Sequence, residues 1–404
     1  NESLRLVLVL AMVAAAGAAA AQGPPAARPD RDGDAIPDAI ETQDWYRAAG
    51  GSPDRKDIWV ECDTMRRVDP SRNFVQRKAA EVFRWAPVEN PSGQKGIALH
   101  VTFDERLKFQ RLLGDGDFGN LYDVTMEIRE EHHDGRPFTG RQAETMRPYV
   151  HYCLYANAIT EQGTSGVSFD STNPGGGIPG DTFIVSIGGL YDAFARRDPE
   201  TLRWEVGTFI HELGHNLGLT HGGGAPARHT TFKPHYLSVM NYHFQQGYVT
   251  VDEEGHLQRL SYWDYSRAEA GRIDERRINE HRRIDVPDAA VTAPDGTRFV
   301  GLFRGCSPQW VLWFDWGEKI DFNCNGVIDD ERVVVDTNRD GRVENLGKGQ
   351  DDWAHIVFDG GTLAVPGVER LSEPLLPSDE LTLEEAREID RQIRDARRSG
   401  PPQR

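Results

Sequence analysis

The stretch HELGHNLGLTH, residues 211–221, contains three histidines and one glutamate within eleven positions. On an α-helix, His211 and His215 lie four residues apart on one face, so both imidazoles can reach the same metal ion. Glu212 stands beside the first of these ligands, where a carboxylate can hold a water molecule next to the metal. The spacing therefore predicts a helix that carries two metal ligands and a neighbouring carboxylate.

The second half of the stretch predicts a turn. Gly218 has no side chain and can adopt the left-handed conformation that ends a helix. The chain would then reverse and bring back His221 as a third ligand. Three protein nitrogens leave the fourth position of a zinc ion to water, which is the mark of a catalytic site, whereas structural zinc sites are closed.

HELGHNLGLTH resembles the motif HExxHxxGxxH of the metzincin zinc endopeptidases, in which a methionine-containing turn follows the third histidine. The sequence SVMNY, residues 238–242, resembles that turn, since its methionine lies nineteen positions after His221 (240 − 221). The resemblance implies that Met240 packs beneath the zinc site and that Tyr242 lies near the metal. It also implies that Glu212 and Tyr242 are the catalytic residues, with Glu212 as the general base of peptide hydrolysis.

The order of the predicted elements suits a metzincin catalytic domain. Helical spacing of apolar residues predicts a helix over 71–85, and a second helix, starting near Asp198, would carry the zinc ligands. Alternating or apolar runs predict strands over residues 57–61, 97–103, 150–155 and 183–187, and the Gly/Ser-rich residues 163–170 are expected as an exposed edge strand. We therefore expect an α+β fold, in which a twisted mixed sheet of four to five strands has a backing helix and an active-site helix. Because metzincins bind the substrate as an added antiparallel strand, residues 163–170 are the expected edge strand for a peptide.

The chain after the turn carries weaker signals. Residues 266–284 are rich in Arg and Glu and predict a solvated helix. Trp310, Trp313 and Trp316 are expected to pack in the core, although a binding face is the alternative. We expect this C-terminal part to be loop-rich and to bind calcium.

Three acidic loops have the ligand spacing of calcium sites. The first resembles a thrombospondin type 3 repeat or an EF-hand-like loop, and its predicted ligands are Asp30, Asp32, Asp34, Asp38 and Glu41. The other two have glycine at position 6, and their predicted ligands are Asp321, Asn323, Asn325, Asp329, Asp336, Asn338, Asp340 and Glu344. Both lack a glutamate at position 12. The alternatives are a solvated acidic linker for the first loop and simple Asx-turns for the others.

Charge and the N-terminal residues indicate the compartment. With 64 acidic and 46 basic residues, the formal net charge of −18 argues against nucleic acid or an anionic membrane surface as a partner. The apolar run over 6–16, with small residues before Gln22, predicts a secretory signal peptide and a secreted or extracytoplasmic protein; a membrane anchor is the alternative. In such a compartment Cys306 and Cys324 are the expected disulfide, while Cys62 and Cys153 are expected to be packed thiols.

These predictions divide the chain into five segments. They are a signal peptide (1–21), a linker with a calcium-binding-like loop (22–55), a zinc protease domain (56–285), a C-terminal region with two calcium-loop-like segments (286–365) and a charged tail (366–404). The predicted function is a secreted zinc-dependent endopeptidase acting on proteins or peptides, with zinc and calcium as cofactors. The alternative is a calcium-stabilised extracellular binding or adhesion protein with a structural zinc site. Hydrolysis of a non-peptide amide also stays open.

Overall fold

A five-stranded mixed sheet forms the centre of the computed structural model, which describes residues 29–169, 181–189, 198–227, 229–304, 311–358 and 380–398. Its strands are β1 (Asp57–Met65), β2 (Ala98–Leu107), β3 (Val150–Ala156), β4 (Gly166–Phe169) and β5 (Thr182–Ser186), in the order β2-β1-β3-β5-β4. The first four in this order run parallel, and β4 pairs antiparallel with β5 at the edge. The mixed sheet predicted from the sequence is therefore confirmed.

The side chains of β1 show why the sheet is covered on both faces. Ile58, Val60 and Cys62 alternate along the strand and belong to the main core, whereas Trp59 points to the other face and joins a second, smaller cluster. That cluster includes Ile36 and Tyr46 from the N-terminal segment. Burial on both faces is typical of a parallel sheet.

Two cysteines face each other at the centre of the sheet. Cys62 of β1 is in register with Cys153 of β3, and both are buried free thiols, which confirms the expectation of packed thiols. Cys306 lies outside the described residues, so its disulfide with Cys324 stays a prediction.

The described helices lie on both sides of this sheet. They are α1 (Asp38–Glu41), α2 (Asp44–Ala48), α3 (Arg72–Arg84), α4 (Phe118–His132), α5 (Arg141–Met146), α6 (Pro199–Asn216) and α7 (Leu383–Arg394). The predicted backing helix is α3, whose apolar face is buried. The predicted ligand helix is α6, which packs against α3, β4 and β5. Asp198 caps α6 by accepting the Glu200 N–H at 2.8 Å, and Pro199 occupies the first helical position, where no N–H is needed.

Short strands and turns make up most of the described residues between α6 and α7. The strands there are β6 (Val249–Val251), β7 (Leu257–Arg259), β8 (Ile273–Asp274), β9 (Gly301–Phe303), β10 (Leu312–Phe314) and β11 (Asn345–Gly347), and β12 (Arg397–Arg398) follows α7. Trp313 and Trp316 are buried, as expected for core residues, while Trp310 lies outside the described residues. None of the described helices combines the length and apolarity that crossing a bilayer requires. The predicted signal peptide also lies outside the described residues.

The solvated helix predicted over 266–284 is wrong. That segment contains β8 and one 3₁₀ turn, Glu275–Arg277. Glu275 and Glu280 are fully buried, because each carboxylate accepts backbone N–H groups from one of the acidic loops. Glu280 accepts from Phe322 at 2.7 Å and from Asp329 at 2.9 Å. Charged residues that look solvated in the sequence are therefore internal supports of the loops.

Replacing Glu280 tests this support. Glu280→Ala removes the acceptor of buried backbone donors, and we expect it to lower the free energy of unfolding by about 2–4 kcal/mol in urea titration. Glu331→Ala, at an exposed acidic position of the same region, is the control and should change it by less than about 0.5 kcal/mol. Equal effects of the two substitutions would contradict the supporting role.

Candidate metal centre

Three histidines converge at the end of α6. His211 and His215 lie on one buried face of the helix, and their Nε2 atoms are 3.1 Å apart. The helix ends at Asn216, and Gly218 follows with a φ of +86°. The Leu219 N–H donates to the Gly214 carbonyl at 2.9 Å, which closes the turn. The reversed chain places His221 Nε2 at 3.1 Å from His215 Nε2.

The orientation of the imidazoles fits a bound cation. His211 Nδ1 lies 2.9 Å from the Val239 carbonyl, and His215 Nδ1 lies 2.9 Å from the Leu219 carbonyl. These carbonyls accept a proton only from Nδ1–H, so the Nε2 atoms carry the lone pairs that face one another. Burial and the neighbouring imidazoles hold the pKa of His215 well below its usual range, which keeps the ring neutral.

Zinc matches this donor set. Zn–N bonds of about 2.0–2.1 Å in a tetrahedral arrangement separate the ligand nitrogens by about 3.3 Å, close to the spacing found here. Lone pairs that meet in a buried site repel one another unless a cation lies between them. The residues present therefore fit the ion that the sequence motif implies.

Glu380 is a fourth potential ligand of this group. Its Oε1 lies 3.3 Å from His221 Nε2 and 3.6 Å from His215 Nε2, and its Oε2 lies 3.5 Å from His211 Nε2. The residue is buried just before α7. The sequence motif does not predict it, because it lies 138 residues beyond Tyr242 with no local pattern of its own.

Glu212 lies in the same site with an unusual environment. It is completely buried, and neither carboxylate oxygen has a hydrogen-bond partner among the described residues. Burial, and then the charge of Glu380, raise the pKa of Glu212 well above its usual range. A Cβ placed on Gly166, the first residue of β4, would lie 2.4 Å from Glu212 Oε1, so a larger residue there would displace the Glu212 side chain. The free carboxylate therefore lies between the histidines and the edge strand.

The turn at residues 238–242, here called the Met-turn, lies against the ligand helix. A Cβ on Gly214, between the two helical histidines, would meet Met240 Sδ at 2.5 Å and a Tyr265 ring carbon at 2.9 Å. Met240 thus packs against the backbone that carries both ligands. The Tyr242 hydroxyl lies 3.0 Å from His221 Nε2 and 3.3 Å from Glu380 Oε2, which places it beside the four-residue group.

Asp352 fixes this turn from a distant part of the chain. It is fully buried and accepts hydrogen bonds from the Ser238 hydroxyl at 2.6 Å and the Tyr236 hydroxyl at 2.9 Å. Burial raises its pKa to about 6. The sequence places Asp352 next to an acidic loop and carries no signal for this role.

The N-terminal acidic loop brings four of its five predicted ligands together. Carboxylate oxygens of Asp30, Asp32, Asp34 and Glu41 lie within 4.8 Å of one another. Asp38 does not join them, because its carboxylate accepts the Arg31 N–H at 2.9 Å at the start of α1. Neither oxygen of Asp32 or of Glu41 has a hydrogen-bond partner among the described residues, although both side chains are buried. Burial and the acidic neighbours raise the pKa of Asp32 to about 7, of Asp34 to about 8 and of Glu41 to about 10.

The two C-terminal acidic loops are closed by internal hydrogen bonds. Asp321 accepts the Gly326 N–H at 2.8 Å, and Asp336 accepts the Gly341 N–H at 3.0 Å. Asp329 accepts the side-chain amides of both Asn323 and Asn325. In the second loop, Asn338 donates to Asp340 at 3.3 Å, and Glu344 accepts from Thr230 at 3.1 Å. Among the described residues, neither loop brings three carboxylates or histidines to within ligand distance of one point.

The chain has only distant similarity to the known proteins with which it was compared. No protein-family model matches the chain, and a search of curated proteins found no match. Among solved structures, it is similar to the crystal structure of a zinc-dependent peptidase from Methanocorpusculum labreanum (strain Z), with 12% sequence identity and a TM-score of 0.28. The match covers 45% of this chain and 87% of that chain.

The packing of Met240 under the ligands is testable through Gly214. Gly214→Ala would push Met240 and Tyr265 away from the helix, and we expect a loss of about 1–3 kcal/mol in stability together with weaker zinc retention during dialysis. Gly271→Ala is the matched control, because a Cβ there meets nothing within 4 Å. Both variants are compared by thermal unfolding and metal analysis, and wild-type behaviour of Gly214→Ala would refute the packing argument.

Proposed function

We propose that this protein is a zinc-dependent endopeptidase that hydrolyses peptide bonds in protein or peptide substrates. The observation that carries the proposal is the buried carboxylate of Glu212, which has no hydrogen-bond partner among the described residues and lies beside three converging histidines. A carboxylate in that state is costly to bury, and a purely structural zinc site has no need of it. The motif pair formed by residues 211–221 and 238–242 supports the metzincin type of zinc peptidase.

Each residue of the site has a distinct task in this proposal. His211, His215 and His221 hold zinc through Nε2, with two of the rings oriented by backbone carbonyls. When bound, zinc polarises a carbonyl oxygen and lowers the pKa of water to about 7. Glu212 accepts the proton of the attacking water and passes it to the leaving amine. The Tyr242 hydroxyl, beside His221, donates a hydrogen bond to the substrate oxygen as negative charge develops on it.

The edge of the sheet supports an extended substrate. β4 lies at the edge, and its first residue contacts Glu212. A peptide that adds to this edge by backbone hydrogen bonds would pass beside the general base. The N-terminal sequence supports secretion, and the excess of acidic residues supports a protein partner over nucleic acid.

A structural zinc site is the competing function, and Glu380 is the observation that favours it. With Glu380 the group has four protein ligands, which is typical of closed structural sites. The protein would then be an extracellular binding or adhesion protein. Loss of peptide hydrolysis on substitution of Glu212, with zinc retained, separates the two functions.

Substitution of Glu212 tests the proposed mechanism directly. Glu212→Gln keeps the shape but cannot accept the proton, so we expect cleavage of a fluorogenic peptide library to fall by about 10²–10⁴-fold. Metal analysis should still find one zinc per chain, because Glu212 is not a ligand. Because Glu380 faces the same histidines, the comparison is made both in the natural sequence and in a Glu380→Ala background. His221→Ala is the control that loses both zinc and activity, and full activity of Glu212→Gln in either background would exclude the mechanism.

We also propose that the N-terminal loop binds one calcium ion through Asp30, Asp32, Asp34 and Glu41. Calcium prefers carboxylate oxygens, and Asp32 and Glu41 offer them inside a buried site, where neither has a hydrogen-bond partner in the part of the chain that the structure describes. Calcium at the C-terminal loops has no such support, since their carboxylates accept hydrogen bonds within the protein.

Calcium removal should make the stability of the protein depend on pH. Without the cation, the folded pKa values of Asp32, Asp34 and Glu41, about 7, 8 and 10, exceed their ordinary values of 3.8 and 4.5. Their stabilising contribution is therefore complete below about pH 4 and is lost as the pH rises through about 7–10. We expect the Tm in chelator to fall between pH 5 and pH 9 and calcium to restore it mainly at the higher pH. Asp32→Asn should abolish the rise in Tm that calcium causes at the higher pH, whereas Asp38→Asn should keep that rise. The reverse order would disprove the four-residue site.

A further inference from the structure

The segment Glu380–Leu383 pairs with residues 163–165, directly before the edge strand β4. The Ser165 N–H donates to the Leu381 carbonyl at 2.9 Å, and the Leu383 N–H donates to the Gly163 carbonyl at 3.0 Å. Thr164 and Thr382 form the antiparallel bridge between these two bonds. The segment therefore adds a short antiparallel strand to the residues that lead into β4.

From this strand, Glu380 reaches the metal site with its side chain. Its carboxylate lies 3.3–3.6 Å from the three Nε2 atoms and 3.3 Å from the Tyr242 hydroxyl. It therefore occupies the side of the histidine cluster that faces Tyr242. Unlike a peptide bond, the side-chain carboxylate of Glu380 has no amine to release, so peptide hydrolysis cannot remove it from the site. The charges also fit, because a divalent cation between the histidines balances the two buried carboxylates, Glu212 and Glu380.

The segment is anchored by the helix that follows it. Thr382 and Glu385 form a capping box at the start of α7, whose buried face includes Ile389 and Ile393. Asp390 of α7 forms an ion pair with Arg259 at 2.7 Å, and both side chains are 7% exposed. Arg259 also donates to the His243 carbonyl at 2.9 Å, next to Tyr242. The anchor thus connects α7 with the chain that follows the Met-turn.

We propose that the protein holds itself in a latent state, with Glu380 as fourth ligand of the metal and residues 381–383 in the place of a substrate strand. This inference rests on the proposed peptidase function. Release of the segment, by cleavage or by a partner that displaces α7, would open the metal and the sheet edge together. Glu380 is thus a built-in inhibitor, and the four-ligand geometry is compatible with catalysis once the segment leaves.

The ligand role of Glu380 can be measured without any peptide substrate. Full-length protein is loaded with Co²⁺, whose visible absorption reports its ligands, and titrated with acetohydroxamic acid, a small bidentate metal ligand. If Glu380 leaves the metal in only a small fraction of the molecules, the apparent affinity for acetohydroxamic acid is lower by that fraction. We expect Glu380→Ala and Glu380→Gln to bind the probe at least about tenfold more tightly than the natural chain, with a matching rise in peptide cleavage. Glu384→Gln, at an exposed position of α7, is the control and should leave both readouts unchanged.

A second pair of variants tests the strand position without changing the metal ligands. Leu383→Pro removes the N–H that donates to Gly163 at a helix position that tolerates proline, and Thr382 already has the extended backbone that proline requires before it. Leu383→Ala keeps that N–H. We expect Leu383→Pro to increase probe binding and peptide cleavage more than Leu383→Ala does.

The outcomes separate this inference from the proposed function. Equal probe binding by the natural chain and both Glu380 variants would overturn the latent state, as would loss of Co²⁺ from them, since Glu380 would then be a structural ligand. Tighter probe binding without cleavage of any peptide by any variant would support the ligand role of Glu380 and reject the peptidase function. Tighter binding with increased cleavage supports both.

Discussion

The structure depends on three imidazoles that meet in a buried site, where His215 Nε2 lies 3.1 Å from both His211 Nε2 and His221 Nε2. Lone pairs held so close repel one another, and a cation between them turns that repulsion into coordination. The surroundings preserve this arrangement from several sides. Backbone carbonyls orient His211 and His215, Met240 supports the helix from below, and the left-handed Gly218 returns the chain. We infer that zinc would stabilise the fold as well as take part in the proposed reaction. A metal ion that binds the folded chain and not the unfolded chain shifts the folding equilibrium towards the folded state.

Residues far along the chain from the central motif also contact the metal site and the Met-turn. Asp352 holds the Met-turn through Ser238 and Tyr236, and Glu380 faces the histidines from the segment before α7. One hydrophobic cluster includes both β1 and α7, which connects these distant supports through the core. The helix that would hold the protein in the proposed latent state therefore packs in the same hydrophobic core as the strands of the main sheet.

Local periodicity explains which elements the sequence predicted correctly. Alternating or apolar runs predicted most strands of the main sheet, and helical spacing predicted α3, because its buried face repeats at the period of a helix. α6 was predicted from the metal-ligand motif, since almost all of its residues after Arg203 are buried and show no single apolar face. α4 and α5 carry weaker patterns and were missed. The predicted helix over 266–284 failed because Glu275 and Glu280 look solvent-exposed in sequence but accept backbone hydrogen bonds inside the protein. Asp38 has the correct loop spacing for a ligand, yet its carboxylate is used at the start of α1.

The sequence by itself determined the chemistry of the central site. His211, Glu212, His215, Gly218 and His221 are close in the chain, so helix geometry and one glycine turn were enough to bring them together. Only the tertiary structure decided what surrounds that site. Glu380 and Asp352 reach it through long-range packing, for which no local spacing exists, and residues 163–165, which lead into the edge strand, pair with the protein's own residues 381–383. Contacts between distant segments depend on how whole elements pack, and a short motif carries no information about them.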